Sequence, residues 1–354
     1  MNKTYRIKDI ARLSGVSTGT VDRILHKRGK VSFEAQAKVE KVLREINYQP
    51  NLIARSLALK KNYKIITVTP SFAEGEYWAK FSEGIDKTRQ ELFSYNIMVE
   101  RFYFNQYDKD SFDALIPQIE ESGCQGVVIA TLFQESVINL ATRLDRLGIP
   151  YVLVDAYIEN THCITYYGTH SYDSGYIAGR LVMKQINKEE DDIVVFRFIR
   201  KGNQGSTQVA KREEGFRAYL SEQGYQGMIH TVRLYGEKEG DNKERLDAFF
   251  NKNQQVKAGI IFNSRACLLG EYFEESGRTG HFKLIGYDVL DANIKYLKSG
   301  LITHLIAQRP EVQGVNSLKA LFRYLVLDMK DEPVNYMPID VLIKENITYY
   351  NNYI

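Results

Sequence analysis

An α/β fold is the expectation for this chain: an N-terminal all-α head followed by two doubly wound parallel-sheet lobes. Three observations lead there. From about Lys64 onward, Val/Ile-rich runs of strand length alternate with amphipathic segments of helix length, which is the pattern of parallel strands covered on both faces by crossover helices. Ahead of that point the apolar residues recur only at helical spacings. At 354 residues the chain is about twice the length of one ordinary domain, and its strands are too many for one sheet.

The head reads as three short helices. Ile7, Ile10 and Ala11 space one apolar face, and Gly15 breaks it. Ser17 is an N-cap type ahead of a second helix with Val21, Ile24 and Leu25 on one side, and Gly29 ends that helix. Ser32 caps a third, whose Ala35, Val39, Val42, Leu43 and Ile46 form an apolar stripe. Pro50 closes the unit, and Asn51 can cap one more short helix through Leu59.

Beyond Lys64 the strand-like runs are 65–70, 97–104, 126–131, 151–156, 192–199, 259–263, 282–288 and 302–308. Helix-length segments at 78–93, 134–147, 172–187, 208–223 and 310–328 separate them. No internal repeat or low-complexity stretch is visible.

Composition narrows the function. The chain is 44% hydrophobic and 26% charged, ordinary for a globular protein. No apolar run approaches the roughly 18 residues of a membrane span, and the N-terminus lacks the apolar core of a signal peptide. Cys124, Cys163 and Cys267 are too few and too scattered for a disulfide framework. A cytoplasmic location without membrane contact follows as the expectation. The net charge of +3 hides a partition: the first 64 residues carry fifteen Lys/Arg against five Asp/Glu, a net +10, and the remainder carries −7. A basic head on an acidic body suits a nucleic-acid-binding module joined to something else, although a solvated basic face accounts for the charge equally well.

The head adds geometry to that charge. Leu13-Ser14-Gly15-Val16-Ser17 joins the first two helices as a tight turn, making a helix-turn-helix. With Val21, Ile24 and Leu25 inward, Thr18, Gly19, Asp22, Arg23 and His26 face out. A recognition helix places short polar and bidentate side chains near its N-terminus, where it enters the major groove. Arg23 can pair with a guanine edge, and Thr18 can meet a base edge or a thymine methyl. Lys3, Arg6, Lys27, Arg28 and Lys30 can neutralise phosphates.

The run YRIKDIARLSGVSTGTVDRIL, with VS at 31–32 and INYQPNLIARSLA at 46–58, resembles the DNA-binding head of the lac/gal repressor family of bacterial transcription regulators. The rest is similar, more loosely, to the family's effector domain, which has a periplasmic-binding-protein-like fold of type I. The resemblance implies a ligand-responsive regulator, a repressor, that binds a pseudo-palindromic operator as a homodimer. It implies a helix-turn-helix domain at 1–49, a hinge helix and linker at 50–62, and an effector domain at 63–354 whose lobes are approximately 63–166 plus 309–332 and 167–308 plus 333–354. Thr18, Gly19 and Arg23 fall on the family's base-reading positions, and Ser17 and Thr20 complete the candidate DNA-contacting set on the head. Asn51, Ala54 and Leu57 match the hinge helix in the minor groove, with Leu57 as the apolar wedge that unstacks a base step. Asp22 departs from the family's usual serine.

Ligands in doubly wound sheets sit beyond the carboxyl ends of strands. Tyr77 and Trp78 follow the first strand of the body, where they can stack on a sugar ring or simply pack in the core. Asp155 and Asp288 each end a strand, where a carboxylate accepts from hydroxyls or caps a loop. By the resemblance, Arg212 matches an arginine that grips sugar hydroxyls, Asn263 matches the asparagine of an Asn-Asp pair in which Ser264 replaces the aspartate, and Gln308 faces the cleft near a lobe crossover. These seven residues are the candidate ligand site. Their mixture suits a neutral polyol, a monosaccharide or short oligosaccharide, while Arg212 and Arg265 leave room for an acidic or phosphorylated sugar.

Other signals are weaker. Arg200 to Ser206 lacks phosphate-loop spacing, and no GxGxxG follows a strand. His162, Cys163 and His170 fit no metal-ligand spacing. No cofactor and no enzymatic activity are expected. The alternative is a sugar-modifying enzyme carrying a DNA-binding head, with Asp155 and Asp288 as acid and base.

Overall fold

The computed structural model describes residues 5–25, 29–46, 61–199, 206–235, 242–278 and 282–353. The hinge helix expected over 50–62, with Asn51, Ala54 and Leu57, lies outside the described residues up to position 60, as do His26, Lys27, Arg28 and the 200–205 loop. The chain forms two compact units, residues 1–58 and 59–354.

In the first unit α1 (Ile7–Ser14), α2 (Thr18–Leu25) and α3 (Phe33–Glu45) enclose a small core. Ile10, Val21 and Val39 are fully buried in it, with Ile7, Val16, Ile24, Leu25, Leu43 and Ile46 around them. Gly15 ends α1 in the left-handed conformation (φ 68°), which costs a side chain-bearing residue about 1–2 kcal/mol. The turn is tied down when the Val16 N–H donates to the Ala11 carbonyl at 3.2 Å. Ser32 caps α3 by accepting from the Ala35 N–H.

The second unit holds, in chain order, β1 (Tyr63–Pro70), α4 (Tyr77–Glu91), β2 (Ile97–Phe104), α5 (Lys109–Asp113), α6 (Ile116–Glu121), β3 (Gly126–Ala130), α7 (Gln134–Leu147), β4 (Tyr151–Asp155), β5 (Thr165–Gly168) and α8 (Ser171–Met183). Then follow β6 (Asp192–Phe198), α9 (Thr207–Glu222), β7 (Ile229–Leu234), α10 (Asn242–Lys252), β8 (Val256–Ile261), α11 (Ala266–Glu275), β9 (Lys283–Tyr287), α12 (Asp291–Ser299), β10 (His304–Ala307), α13 (Pro310–Leu327), β11 (Val334–Tyr336) and β12 (Asp340–Leu342). They build two sheets, β11–β5–β4–β3–β1–β2 and β12–β10–β9–β8–β6–β7. All pairings are parallel except β10 with β12. Leaving aside their three-residue edge strands, the sheets share one strand order, an architectural repeat with no trace in the sequence.

The expected lobe boundaries shift at two places. β5 runs to Gly168, and β11 pairs with it, so residues 334–336 belong to the first sheet and not to the second lobe. The pairing is reinforced where Asn335 Nδ2 donates to Thr165 Oγ1 at 2.8 Å and the Met337 N–H donates to the Gly168 carbonyl at 2.8 Å. The chain therefore crosses between lobes at 169–170, 308–309 and 337–339. β12 is an antiparallel edge on an otherwise parallel sheet.

Two helix pairs cross almost in backbone contact. A Cβ on Gly175 of α8 would lie 1.8 Å from the Arg212 carbonyl oxygen, and one on Gly215 of α9 would lie 2.0 Å from that of Tyr172. Gly84 and Gly314 do the same for α4 and α13. Gly175→Ala is therefore expected to push α8 and α9 apart and to destabilise by about 1–3 kcal/mol or more, the range of overpacking. A melting curve that matches wild type would disprove this reading of the crossing.

Candidate functional site

The outer face of α2 carries the head's candidate contacts. Ser17, Thr18, Gly19 and Arg23 are exposed, while Thr20 and Asp22 are half-buried. Ser17 Oγ accepts from the Thr20 N–H at 3.1 Å and is hydrogen-bonded to Thr20 Oγ1 at 2.9 Å, which fixes the start of the helix. Arg23 Nε donates to the Gly19 carbonyl at 3.1 Å, so its guanidinium lies back along the exposed face. Arg6, Lys8, Arg12 and Lys30 are exposed on the same unit. This is a short polar surface without large side chains at its N-terminal end and with cations on the unit that carries it, which is what groove entry needs.

In the body, strand ends and helix starts converge on one cavity of about 520 Å³. Tyr77, Trp78, Asp155, Arg212, Asn263, Asp288 and Gln308 all line it, so the structure brings all seven body residues singled out in the sequence to one place. Asp155 and Asp288 occupy corresponding positions, the ends of β4 and β9. Both have left-handed backbones, with φ of 85° and 70°. Non-glycine residues there store of order 1–3 kcal/mol each and persist only where their surroundings hold them. Here the Asp288 N–H donates to the Ile306 carbonyl at 2.9 Å. The fully buried Asn293 donates to the carbonyls of Ser264, Tyr287 and Asp288, each at 3.0 Å, while its Oδ1 accepts from the Cys267 N–H. Asn293 thus binds the β8 and β9 loops together.

The cavity floor is one polar network. Gln308 accepts from Arg212 Nη2 and, at 3.2 Å, from Gln208 Nε2, and its own amide donates to Asp288 Oδ1 at 2.6 Å. Gln208 reaches across from α9 to Asp155 Oδ1 at 2.7 Å, joining the two lobes. Arg212 is only 1% exposed; its Nη1 donates to the Phe262 carbonyl at 2.8 Å and its guanidinium lies 4.2 Å from the Tyr287 ring centroid. Its Nε has no partner, and neither does the buried Oε1 of Gln313, whose amide donates to Tyr77 Oη and the Gln308 carbonyl.

Burial pushes the Asp288 carboxyl up to about 6, with Asp155 adding to the rise and Arg212 and Gln308 opposing it. Burial also drives the Tyr77 hydroxyl well above its ordinary range, with Asp155 and Asp288 contributing further. Tyr77 therefore stays a neutral donor.

Trp78 is at once a core residue and a cavity-lining one. It packs edge-on to Tyr77 and Phe81 in the first lobe's core and still lines the cavity. Asn263 is half-buried, and its Oδ1 accepts from the Arg265 N–H at 3.0 Å, so part of its amide orders its own loop. Ser264 also lines the cavity. At the mouth, Arg265 lies 4.5 Å from the Phe198 ring centroid and donates to Tyr107 Oη, and Thr207 donates to Gln134 at 3.0 Å. Gln208, Asn293 and Gln313 went unnoticed in the sequence. The available signal for Gln208 was its place one helical turn ahead of Arg212.

His162 is hydrogen-bonded to Asp145, and His170 caps α8. Among the described residues no group of three or more His, Cys, Asp or Glu is arranged to hold a metal ion, and no helix is long and apolar enough to cross a membrane.

Two family models match the chain: bacterial regulatory proteins of the lacI family over residues 6–51, and the periplasmic binding protein domain over residues 65–328. The sucrose operon repressor of Staphylococcus xylosus is 28% identical over 291 residues, covering 79% of this chain and 81% of its own. The transcriptional repressor PurR of Pasteurella multocida is 26% identical over 347 residues, covering 96% and 98%. Among solved structures, a Bacteroides fragilis protein assigned as a LacI transcriptional regulator is 37% identical with a TM-score of 0.78, spanning 82% of this chain and 100% of that one. The glucose-galactose binding protein GanP of Geobacillus stearothermophilus shares the fold at 19% identity, with a TM-score of 0.67 over 81% of this chain and 99% of its own.

A helix-turn-helix head joined to a two-lobed body with a ligand cleft defines a ligand-responsive, sequence-specific DNA-binding transcription regulator. The chain belongs to the lacI family of bacterial regulatory proteins. The curated relatives named above are transcriptional repressors, and none of them is a sugar-modifying enzyme.

Proposed function

We propose that this regulator is a cytoplasmic homodimeric repressor that binds a pseudo-palindromic operator and is governed by a sugar held, without turnover, in the body cavity. The observation that carries the reading is the cavity floor. Two buried carboxylates, one buried arginine with a spare N–H, two amides and a neutral tyrosine hydroxyl converge there from both lobes. Hydroxyl groups both donate and accept, so a polyol satisfies acids and cation together. Ligand held between the lobes would bias their closure, and with it the segment leading to the head. Such coupling is typically about 1–3 kcal/mol and is reciprocal.

On DNA, Ser17, Thr18, Gly19, Thr20 and Arg23 are proposed to face the major groove, with Asn51, Ala54 and Leu57 in the minor groove. The test is binding of the full chain to DNA flanking its own coding region and to random duplex, across a salt series. Arg23→Ala is expected to weaken the specific complex by about 1–3 kcal/mol while sparing non-specific binding. Equal affinity of the wild type for both duplexes at every ionic strength would overturn the proposal.

A further inference from the structure

The charges around the cavity go further than a general sugar site. Among the described residues that line it, Glu74, Glu76, Asp155, Asp288 and Asp291 are acids, and only Arg212 and Arg265 are cations. The buried cation is already partly committed. Phosphate and carboxylate recognition by arginine uses two parallel N–H groups in a fork, but Nη1 of Arg212 is taken by the Phe262 carbonyl and Nη2 by Gln308. One N–H on each of those nitrogens is so spent, and Nε is buried and without a partner.

Helix N-termini attract anions, and four open toward this cavity. Each brings its own acceptor or acid. Helix α4 starts from Glu76, and α12 carries Asp291 in its first turn. At α9, Ser206 accepts from the Val209 N–H, and at α11, Asn293 accepts from the Cys267 N–H. At the rim, Arg265 is held over Phe198 and bonded to Tyr107.

We propose that this cavity, taken as the sugar site of the preceding section, selects an unphosphorylated, uncharged saccharide and turns away sugar phosphates and uronates. The regulator then reads the sugar as glycoside hydrolysis or uptake delivers it. The signal ends when a sugar hydroxyl takes the terminal phosphoryl group of a nucleoside triphosphate: the new P–O bond forms as the phosphoanhydride bond breaks, the nucleoside diphosphate leaves, and the hydroxyl proton goes to solvent.

The test is thermal-shift titration of the full chain with matched sets at constant ionic strength. Suitable sets are glucose, glucose 6-phosphate and glucuronate; galactose, galactose 1-phosphate and galacturonate; and ribose with ribose 5-phosphate, fructose with fructose 1-phosphate, and sucrose with sucrose 6-phosphate. In any set that stabilises the protein, the neutral member is expected to bind at least about 100-fold more tightly than its anionic partners, the scale of several like-charge contacts. Tighter binding of a phosphate or uronate would overturn the selectivity and leave the sugar site standing. Stabilisation by no member, at millimolar concentration, would overturn both. The double variant Glu74→Gln with Asp291→Asn is expected to narrow the gap by about tenfold, and an unchanged gap would overturn the electrostatic cause.

Discussion

Free of ligand, the Asp288→Asn protein is expected to melt several degrees above the wild type at pH 7.5 and to lose its sugar response. Asp288 is 3% exposed, and its carboxyl is raised to about 6 from an ordinary 3.8. The folded state therefore holds its proton over a range in which the unfolded chain has released it, and stability falls as pH rises through that range. The cost is absent below about 3.8 and complete above about 6, where it amounts to about 3 kcal/mol. Asparagine keeps an oxygen to accept from the Gln308 amide and removes the buried charge. The melting advantage of the variant should shrink toward pH 4 and persist above pH 6.5. The same change would remove the charge-assisted ligand contact proposed for Asp288, and affinity is expected to drop by about 1.5–3 kcal/mol. An advantage that grew on acidification would reverse the sign and refute the burial argument. The stability given up at Asp288 is then the cost of a site built for ligand.

Arg212→Ala is expected to move stability the other way, by about 3–5 kcal/mol, the cost of stranding buried charge. On the sequence alone this substitution would remove ligand response and leave the fold intact. The structure revises that expectation, because Arg212 bonds the Phe262 carbonyl and Gln308, stacks on Tyr287, and lowers the cost of ionised Asp288. Arg212→Met should recover part of the packing but not the charge. Adding Asp288→Asn to Arg212→Met should restore stability beyond the sum of the single effects, since the buried charge that Arg212 offset is then gone. Chemical denaturation of the four proteins measures that coupling. Additive single effects would mean that Arg212 and Asp288 are not one unit.

Strands with continuous apolar runs were readable as they stand. The run 97–104 is β2, and the segment 134–147 is α7, to the residue. β7 was missed because it is half-buried and broken by polar residues, as its neighbours cover only one side. β5, β11 and β12 are three or four residues long, too short for a period to emerge, and only pairing makes them strands. The short helices α5 and α6 escaped for the same reason of length.

The candidate site divides along the same line. Asp155 and Asp288 could be noticed because each closes an apolar strand, and Arg212 and Gln308 because of the family resemblance. Nothing in their spacing reveals that Gln308 stands between Arg212 and Asp288, that Gln208 spans to Asp155, or that Arg212 Nε is left without a partner.

Helix caps, turns, apolar periods and the basic head are properties of neighbours along the chain, so a string of residues is enough to state them. Partners at the cavity floor are separated by 100 positions at Gln208 and Gln308 and by 236 at Tyr77 and Gln313. Their meeting follows from strand order and from glycine-permitted helix crossings, which depend on packing between distant segments. The burial that raises Asp288 and the bonds that hold Arg212 to the Phe262 carbonyl and Gln308 exist only once those segments have closed together.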